Sequence, residues 1–183
     1  GTHFCECGMF DVSSTTPLVF QIGLNKCATG AFYKLFEKSG VRSLHHLGRH
    51  HRKAGDDTLD GVNPQKLIDR NLRKGRPPVE GLDGFRAFFD MEYSTQSKRI
   101  ENYRFFAQFA EAYPDALFIM NTRPKDRWLK SRIAHNDGRY LQKTCEQMNA
   151  SVEQVLTHWS DHYDHHTAEV AGYFADKPDR CLW

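Results

Sequence analysis

The sequence predicts an α/β fold in which a central parallel sheet is flanked by helices. Three observations predict it. Short apolar runs at 18–22, 85–91 and 116–120 alternate with segments of helical period. The runs are apolar almost throughout, as in strands buried on both faces. A chain of 183 residues, 39% apolar and 13% aromatic, suffices for one sizeable core.

Residues 1–17 are polar, small and without period, and are expected to form a loose lead-in, native or a remnant of cloning; residues 18–183 form the single domain. The first strand, 18–22, ends at Gly23. Thr29 is the expected N-cap of a helix carrying Phe32, Leu35 and Phe36 and stopping at Gly40. Residues 42–62, rich in His, Arg, Gly and Asp, read as a surface excursion. Asn63 caps a helix over 64–74 that stops at Gly75 and Pro77-Pro78. After the second strand, 85–91, the spacing of Ile100, Tyr103, Phe106, Ala107 and Ala110 predicts an amphipathic helix over 97–113. The third strand, 116–120, leads to Pro124 in the first turn of a helix over roughly 125–135. A long helix covers 151–175, and 180–183 reads as a fourth strand cut short.

A net charge of +2 gives no case for a nucleic-acid or membrane surface. Five scattered cysteines do not form a disulfide framework, which favours a reducing, cytoplasmic setting. No run is long and apolar enough to span a bilayer.

The loop Gly23-Leu-Asn-Lys-Cys-Ala-Thr-Gly30 joins a buried strand to a helix. Backbone N–H groups converge at such a place, and the helix N-terminus carries partial positive charge. Lys26 adds a full charge and Thr29 a hydroxyl. The nucleoside-triphosphatase form of the loop needs Gly-x-x-x-x-Gly-Lys-Ser/Thr; here the lysine precedes the second glycine, which disfavours a kinase or GTPase. On its own the loop is equally a plain turn with a solvated lysine. The third strand runs into Asn121-Thr-Arg-Pro-Lys-Asp-Arg-Trp-Leu-Lys-Ser131. Arg123 is then at a C-terminal strand end, and Arg127 and Ser131 share a helix face. An arginine fork and a hydroxyl suit a second phosphate.

These two motifs resemble those of the sulfotransferase family. There a Lys-x-Gly-Thr-Ser/Thr loop cradles the 5′-phosphosulfate of 3′-phosphoadenosine 5′-phosphosulfate, and Arg-x-Pro-x-x-Arg-x-x-Ser binds the 3′-phosphate through its first Arg and last Ser. Ile22-Gly-Leu-Asn-Lys-Cys27, Leu35-Phe-Glu-Lys-Ser-Gly-Val-Arg-Ser-Leu-His45 and Phe89-Asp-Met-Glu92 look like the small bacterial members. The likeness covers most of 18–183. Ala28 stands where Gly is usual, Gly30 where Ser or Thr is usual, and Arg123-Pro124 is one residue shorter than the pattern.

The resemblance implies a P-loop-type three-layer fold and in-line transfer of a sulfuryl group to a hydroxyl or amine. Asn25, Lys26, Cys27, Ala28, Thr29, Gly30 and Ala31 would surround the 5′-phosphosulfate, and Arg123 and Ser131 the 3′-phosphate. Lys26 would neutralise charge on the bridging oxygen, and no metal is expected. The base is Asp90 or Glu92, which share a face if the second strand persists; Asp90, coming first, is favoured. The acceptor would be a small molecule, carbohydrate or lipid. A further strand, helix and loop would follow Trp183. A catalytically idle nucleotide-binding or interaction protein on the same fold, and less so an atypical P-loop kinase, stay open.

His45, His46, His50 and His51, and His158, His162 and His166, form two clusters. Without a His-Glu-x-x-His motif they read as polar or ligand-facing surface, the first cluster lining an acceptor site. Cys5-Glu-Cys7 is too short for a zinc site. Cys27 is either a thiol of lowered pKa or a buried packing residue. Trp128 and Trp159 are expected to pack helices onto the sheet, with Trp128 near the nucleotide.

Overall fold

The computed structural model describes residues 16–55 and 57–183, so most of the expected lead-in, and Cys5-Glu-Cys7 with it, lies outside the described residues. In chain order the elements are β1 (Val19–Gln21), α1 (Thr29–Lys38), β2 (Ser43–His45), α2 (Arg49–Lys53), α3 (Pro64–Arg73), β3 (Ala87–Phe89), β4 (Glu92–Ser94), β5 (Arg99–Glu101), α4 (Phe106–Ala112), β6 (Leu117–Ile119), α5 (Lys125–Ile133), α6 (Arg139–Met148), α7 (Val152–Phe174) and β7 (Cys181–Leu182). Five strands form a parallel sheet of order β2-β3-β1-β6-β7, and β4 and β5 form a separate antiparallel hairpin.

Strand alternation divides the apolar residues between the two faces of the sheet. Phe20 of β1 pairs in register with Phe88 of β3 and Phe118 of β6, and the three rings make a row across the larger face. Phe109 of α4 meets this row edge-on at 4.7 Å, and Phe174 of α7 packs on Phe118 at 5.0 Å. On the other face Val19, Ala87, Phe89 and Ile119 receive Phe32, Tyr33 and Phe36 of α1. Each buried aromatic contributes roughly 1.5–3 kcal/mol by leaving water. The expected α/β architecture, a central parallel sheet flanked by helices, is therefore present.

Several elements differ from expectation. Ala28, not Thr29, occupies the N-cap of α1, and Thr29 is its first residue. Pro124 likewise takes the N-cap position of α5 rather than its first turn. The expected surface excursion 42–62 holds the core strand β2: a three-residue strand is too short to show a period, yet Leu44 and Leu59 are fully buried. The expected helix 97–113 opens instead as β5 and a 3-10 turn, and becomes α-helical only at Phe106. Here pairing overrides helical spacing, because Ile100 sits opposite Tyr93 in the hairpin and is buried. Asn63 caps α3 as expected, accepting from the Lys66 amide at 3.1 Å. The fourth strand, β7, pairs with β6. Ser151 and Gln154 form a reciprocal cap at the start of α7.

Candidate functional site

The C-terminal ends of β3, β1 and β6 meet at the place where the chain switches direction across the sheet, the general location of ligand sites in open α/β folds. Two amides lock these ends together. Gln21, fully buried at the end of β1, donates to the Asn121 side chain at 2.7 Å, and its oxygen accepts the Asp90 amide at 3.0 Å. Asn121, just beyond β6, donates to the Cys27 carbonyl. One chain of hydrogen bonds thus runs from Asp90 to the loop after β1. Gly23 is required there, since a Cβ would land on the side-chain and backbone oxygens of Asn121.

That loop turns through two left-handed residues, Lys26 (φ 63) and Ala28 (φ 65). Side chains other than glycine enter this region at a cost, and such strain collects at functional sites. Supports surround the loop: the Trp128 indole donates to the Asn25 carbonyl at 2.9 Å, and Arg123 Nη1 donates to the Lys26 carbonyl at 3.0 Å. Arg123 is in turn placed by Tyr163, whose hydroxyl donates to its carbonyl at 2.7 Å. The first amides of α1 have no intrahelical acceptor by geometry, which leaves those of Thr29 and Gly30 for a ligand. The Ala31 amide is already engaged, donating to the Ala28 carbonyl at 2.9 Å.

Two cavities open on this edge. One, of about 400 Å³, is lined by Lys26, Ala28, Thr29, Gly30 and Ser131. The other, of about 600 Å³, reaches out to β4, α2 and α6. Asn25, His45, Asp90 and His135 line both and form their common wall. Asn25 Oδ1 is buried there without a hydrogen-bond partner.

Lys26 reaches this wall, its Nζ lying 3.2 Å from His135 Nδ1. Burial, then the Lys26 charge, hold His135 below its usual pKa, so the neutral ring accepts from the ammonium. Asp90 sits in a left-handed conformation (φ 54) just past β3, with its carboxylate 3.9 Å from His45 and 3.7 Å from His46. Burial, then the Glu92 charge, push its pKa up to about 7 against the opposing pull of Lys26. Burial, then His46 and His50, push His45 down to about 4, so that ring is neutral near pH 7 and its Nε2 lies 3.3 Å from the Thr29 hydroxyl.

Glu92 is placed differently. β3 ends at Phe89, so Asp90 and Glu92 do not share a continuous strand; Glu92 opens β4. It is buried, and Oε1 accepts from the Tyr140 hydroxyl at 2.6 Å. Tyr140 also accepts from the buried Arg132 at 2.9 Å. The Arg132 guanidinium lies over the rings of Trp128, Tyr140 and Trp159 at 4.9, 5.3 and 4.6 Å. This cationic, aromatic support holds the Glu92 charge, while Glu92 Oε2 is buried without a partner.

Of the residues singled out in the sequence, Asn25, Lys26, Ala28, Thr29, Gly30, Ser131 and Asp90 come together around the smaller cavity. Glu92 lines only the larger one. Cys27, Ala31 and Arg123 line neither; Arg123 touches the loop through the Lys26 carbonyl. Arg127, on the same helix as Ser131, is exposed. Cys27 is the buried packing residue: burial pushes its thiol pKa up to about 11, and the side chain packs in the core. Trp128 is fully buried beneath the loop, which supports it rather than stacking on a base. His45, His46 and His50 line the larger cavity, whereas His51 of the same cluster is buried with its Nε2 2.7 Å from the Ser43 carbonyl. His162 and His166 are buried rather than surface-facing: His162 pairs with Tyr103 at 2.9 Å, and His166 donates to the Ile22 carbonyl at 2.7 Å.

Gln21, Asn121, Arg132, His135 and Tyr140 were not singled out. Amides at the ends of otherwise apolar strands were a readable signal for the first two. Tyr140, Leu141, Thr144, Cys145 and Met148 carry a helical period that marks α6. Among the described residues no helix is long and apolar enough to cross a membrane. A family model described as a sulfotransferase domain matches residues 18–182, nearly the whole chain. No curated protein matches the chain.

Proposed function

The chain belongs to the sulfotransferase family, and from that premise we propose that it moves the sulfuryl group of 3′-phosphoadenosine 5′-phosphosulfate to a hydroxyl or amine by in-line displacement. The observation that carries this reading is the pair of adjoining cavities whose common wall holds Asp90, with Lys26 beside it. The smaller suits the phosphosulfate end of the donor, and the larger suits the acceptor.

The residues present fit such a donor. The amides of Thr29 and Gly30 face the open end of α1, and the Lys26 ammonium lies beside them. Arg123 uses one of its five N–H donors on the loop and keeps others for a 3′-phosphate, and Ser131 of α5 lines the donor-side cavity. The donor supplies an activated sulfuryl group on a 5′-phosphate. Lys26 neutralises the charge that develops on the bridging oxygen as the S–O bond breaks. Asp90 takes the acceptor's proton as the new bond to sulfur forms; a carboxylate titrating near 7 suits a base working near neutrality. Glu92, through Tyr140 and Arg132, fixes the acceptor side of the wall and raises the proton affinity of Asp90. Adenosine 3′,5′-bisphosphate is the other product.

The test is transfer from sulfur-labelled donor to a panel of hydroxyl and amine acceptors. Lys26→Ala is expected to lower the rate by about 10²–10³ while adenosine 3′,5′-bisphosphate still raises the melting temperature. Full activity in that variant would refute the role of Lys26.

A further inference from the structure

The larger cavity has two chemically different ends. Its inner end, at the common wall, is lined by the Asn25 amide and the part-exposed Asp90 carboxyl, and Glu92 lines the same cavity. Amide and carboxyl groups of this kind accept from the O–H or N–H groups of a ligand. The outer end is cationic. Arg139 and Lys143 reach it from α6, and Arg49 reaches it from the start of α2.

The outer cations keep donors to spare, although Arg139 Nε donates to the Asn136 carbonyl at 3.2 Å. Lys143 Nζ spends one donor on the Ser94 carbonyl at 2.9 Å, which holds the ammonium at the cavity and leaves two N–H groups. Arg139 pairs with Asp137 at 3.3 Å, but those side chains are 77% and 92% exposed, and such pairs are weak enough for a ligand to displace. The negative charge of Glu92 at the inner end is met from behind by Tyr140 and Arg132. An amine acceptor would place a cation in line with the outer cations. A neutral lipid would leave both ends unsatisfied. A volume of about 600 Å³ is that of a small-molecule site.

We infer that the acceptor is a small anionic sugar, bound with its hydroxyls at Asn25, Asp90 and Glu92 and with a carboxylate or phosphate at Arg139 and Lys143. This rests on the sulfotransferase reading above, because it treats the larger cavity as the acceptor side. Whether the anion is a uronate or a sugar phosphate is left to the arms of the test.

The experiment titrates glucuronate, glucose 6-phosphate, glucose and glucosamine into the protein saturated with adenosine 3′,5′-bisphosphate, by calorimetry at low salt. At least one anionic sugar is expected to bind about tenfold or more tightly than glucose, the worth of one charge-assisted contact, and glucosamine no better than glucose. The double variant Arg139→Gln/Lys143→Gln is expected to reduce the preference to about threefold or less, with the bisphosphate-induced melting shift unchanged, which shows that it folds. Inorganic phosphate alone should bind far more weakly than the anionic sugars, because it lacks hydroxyls for the inner end. If bisphosphate binds but no anionic sugar outbinds glucose, this inference falls and the sulfotransferase reading stands. A preference that survives the double variant also overturns it. If bisphosphate itself fails to bind, the donor reading falls and this inference with it.

Discussion

Replacing Asp90 by Asn sets activity against stability. Asparagine keeps the shape, tolerates the left-handed backbone at φ 54, and leaves the Asp90 amide bonded to Gln21. What it removes is the ionisable proton. The folded chain holds this proton up to about pH 7, while the ordinary carboxyl value is 3.8. Between those values the folded state binds a proton that the unfolded state has released, so stability falls as pH rises across the window and the loss is complete above it. At about 1.4 kcal/mol per factor of ten in proton affinity, the full gap sets an upper limit of about 4 kcal/mol. The side chain is 21% exposed to the cavity, so solvent takes part of this, and we expect roughly 1–3 kcal/mol. Asp90→Asn should therefore be more stable than the parent at pH 8 by that amount, about 3–8 °C in Tm, and close to it at pH 4. Scanning calorimetry at the two pH values measures this. Transfer by the variant should fall by about 10²–10⁴, and kcat/KM of the parent should rise about tenfold from pH 6 to pH 8. A variant that is equally stable at pH 8, or that transfers normally, would refute the placement of a buried, proton-holding base at this wall.

Gly23→Ala should destabilise the fold by about 3 kcal/mol, because the added methyl meets backbone as well as side-chain atoms of Asn121 that cannot yield; a urea midpoint unchanged from the parent would contradict the tight β1–β6 junction. Ala28→Gly should stabilise by about 0.5–1 kcal/mol, the left-handed cost at φ 65 less the extra entropy of glycine in the unfolded chain, read in the same urea titration. A loss of stability there would mean that the loop does not turn at Ala28.

Much of this was legible because local chemistry and tertiary role coincide. β1 and β6 are apolar on both faces, and the loop and the Arg123…Ser131 segment follow them at fixed strand ends. Pairing of β1 with β6 then brings Lys26 and Ser131 to one cavity. The helix expected over 97–113 failed because Ile100 and Tyr103 satisfy a helical period while Ile100 pairs with Tyr93 in a hairpin and Tyr103 is buried against His162 and His166 of α7. β2 was invisible, since three residues between histidines and glycines carry no period and Leu44 is buried by neighbours far along the chain. The shared strand face of Asp90 and Glu92 failed for a backbone reason, the left-handed turn at Asp90. Tyr140 joins the site by packing on Trp159 of α7 and bonding to Glu92 of β4, and His135 joins it by meeting Lys26, contacts that spacing cannot report.

The most direct test is calorimetric binding of adenosine 3′,5′-bisphosphate against adenosine 5′-phosphate and Mg²⁺-ATP, in the parent and in Arg123→Ala. The bisphosphate is expected to bind at least about tenfold more tightly than either competitor, and Arg123→Ala to erase the advantage of the 3′-phosphate while leaving 5′-phosphate binding at the Lys26 loop. Equal affinity for the mono- and bisphosphate, or tighter binding of Mg²⁺-ATP, would contradict it.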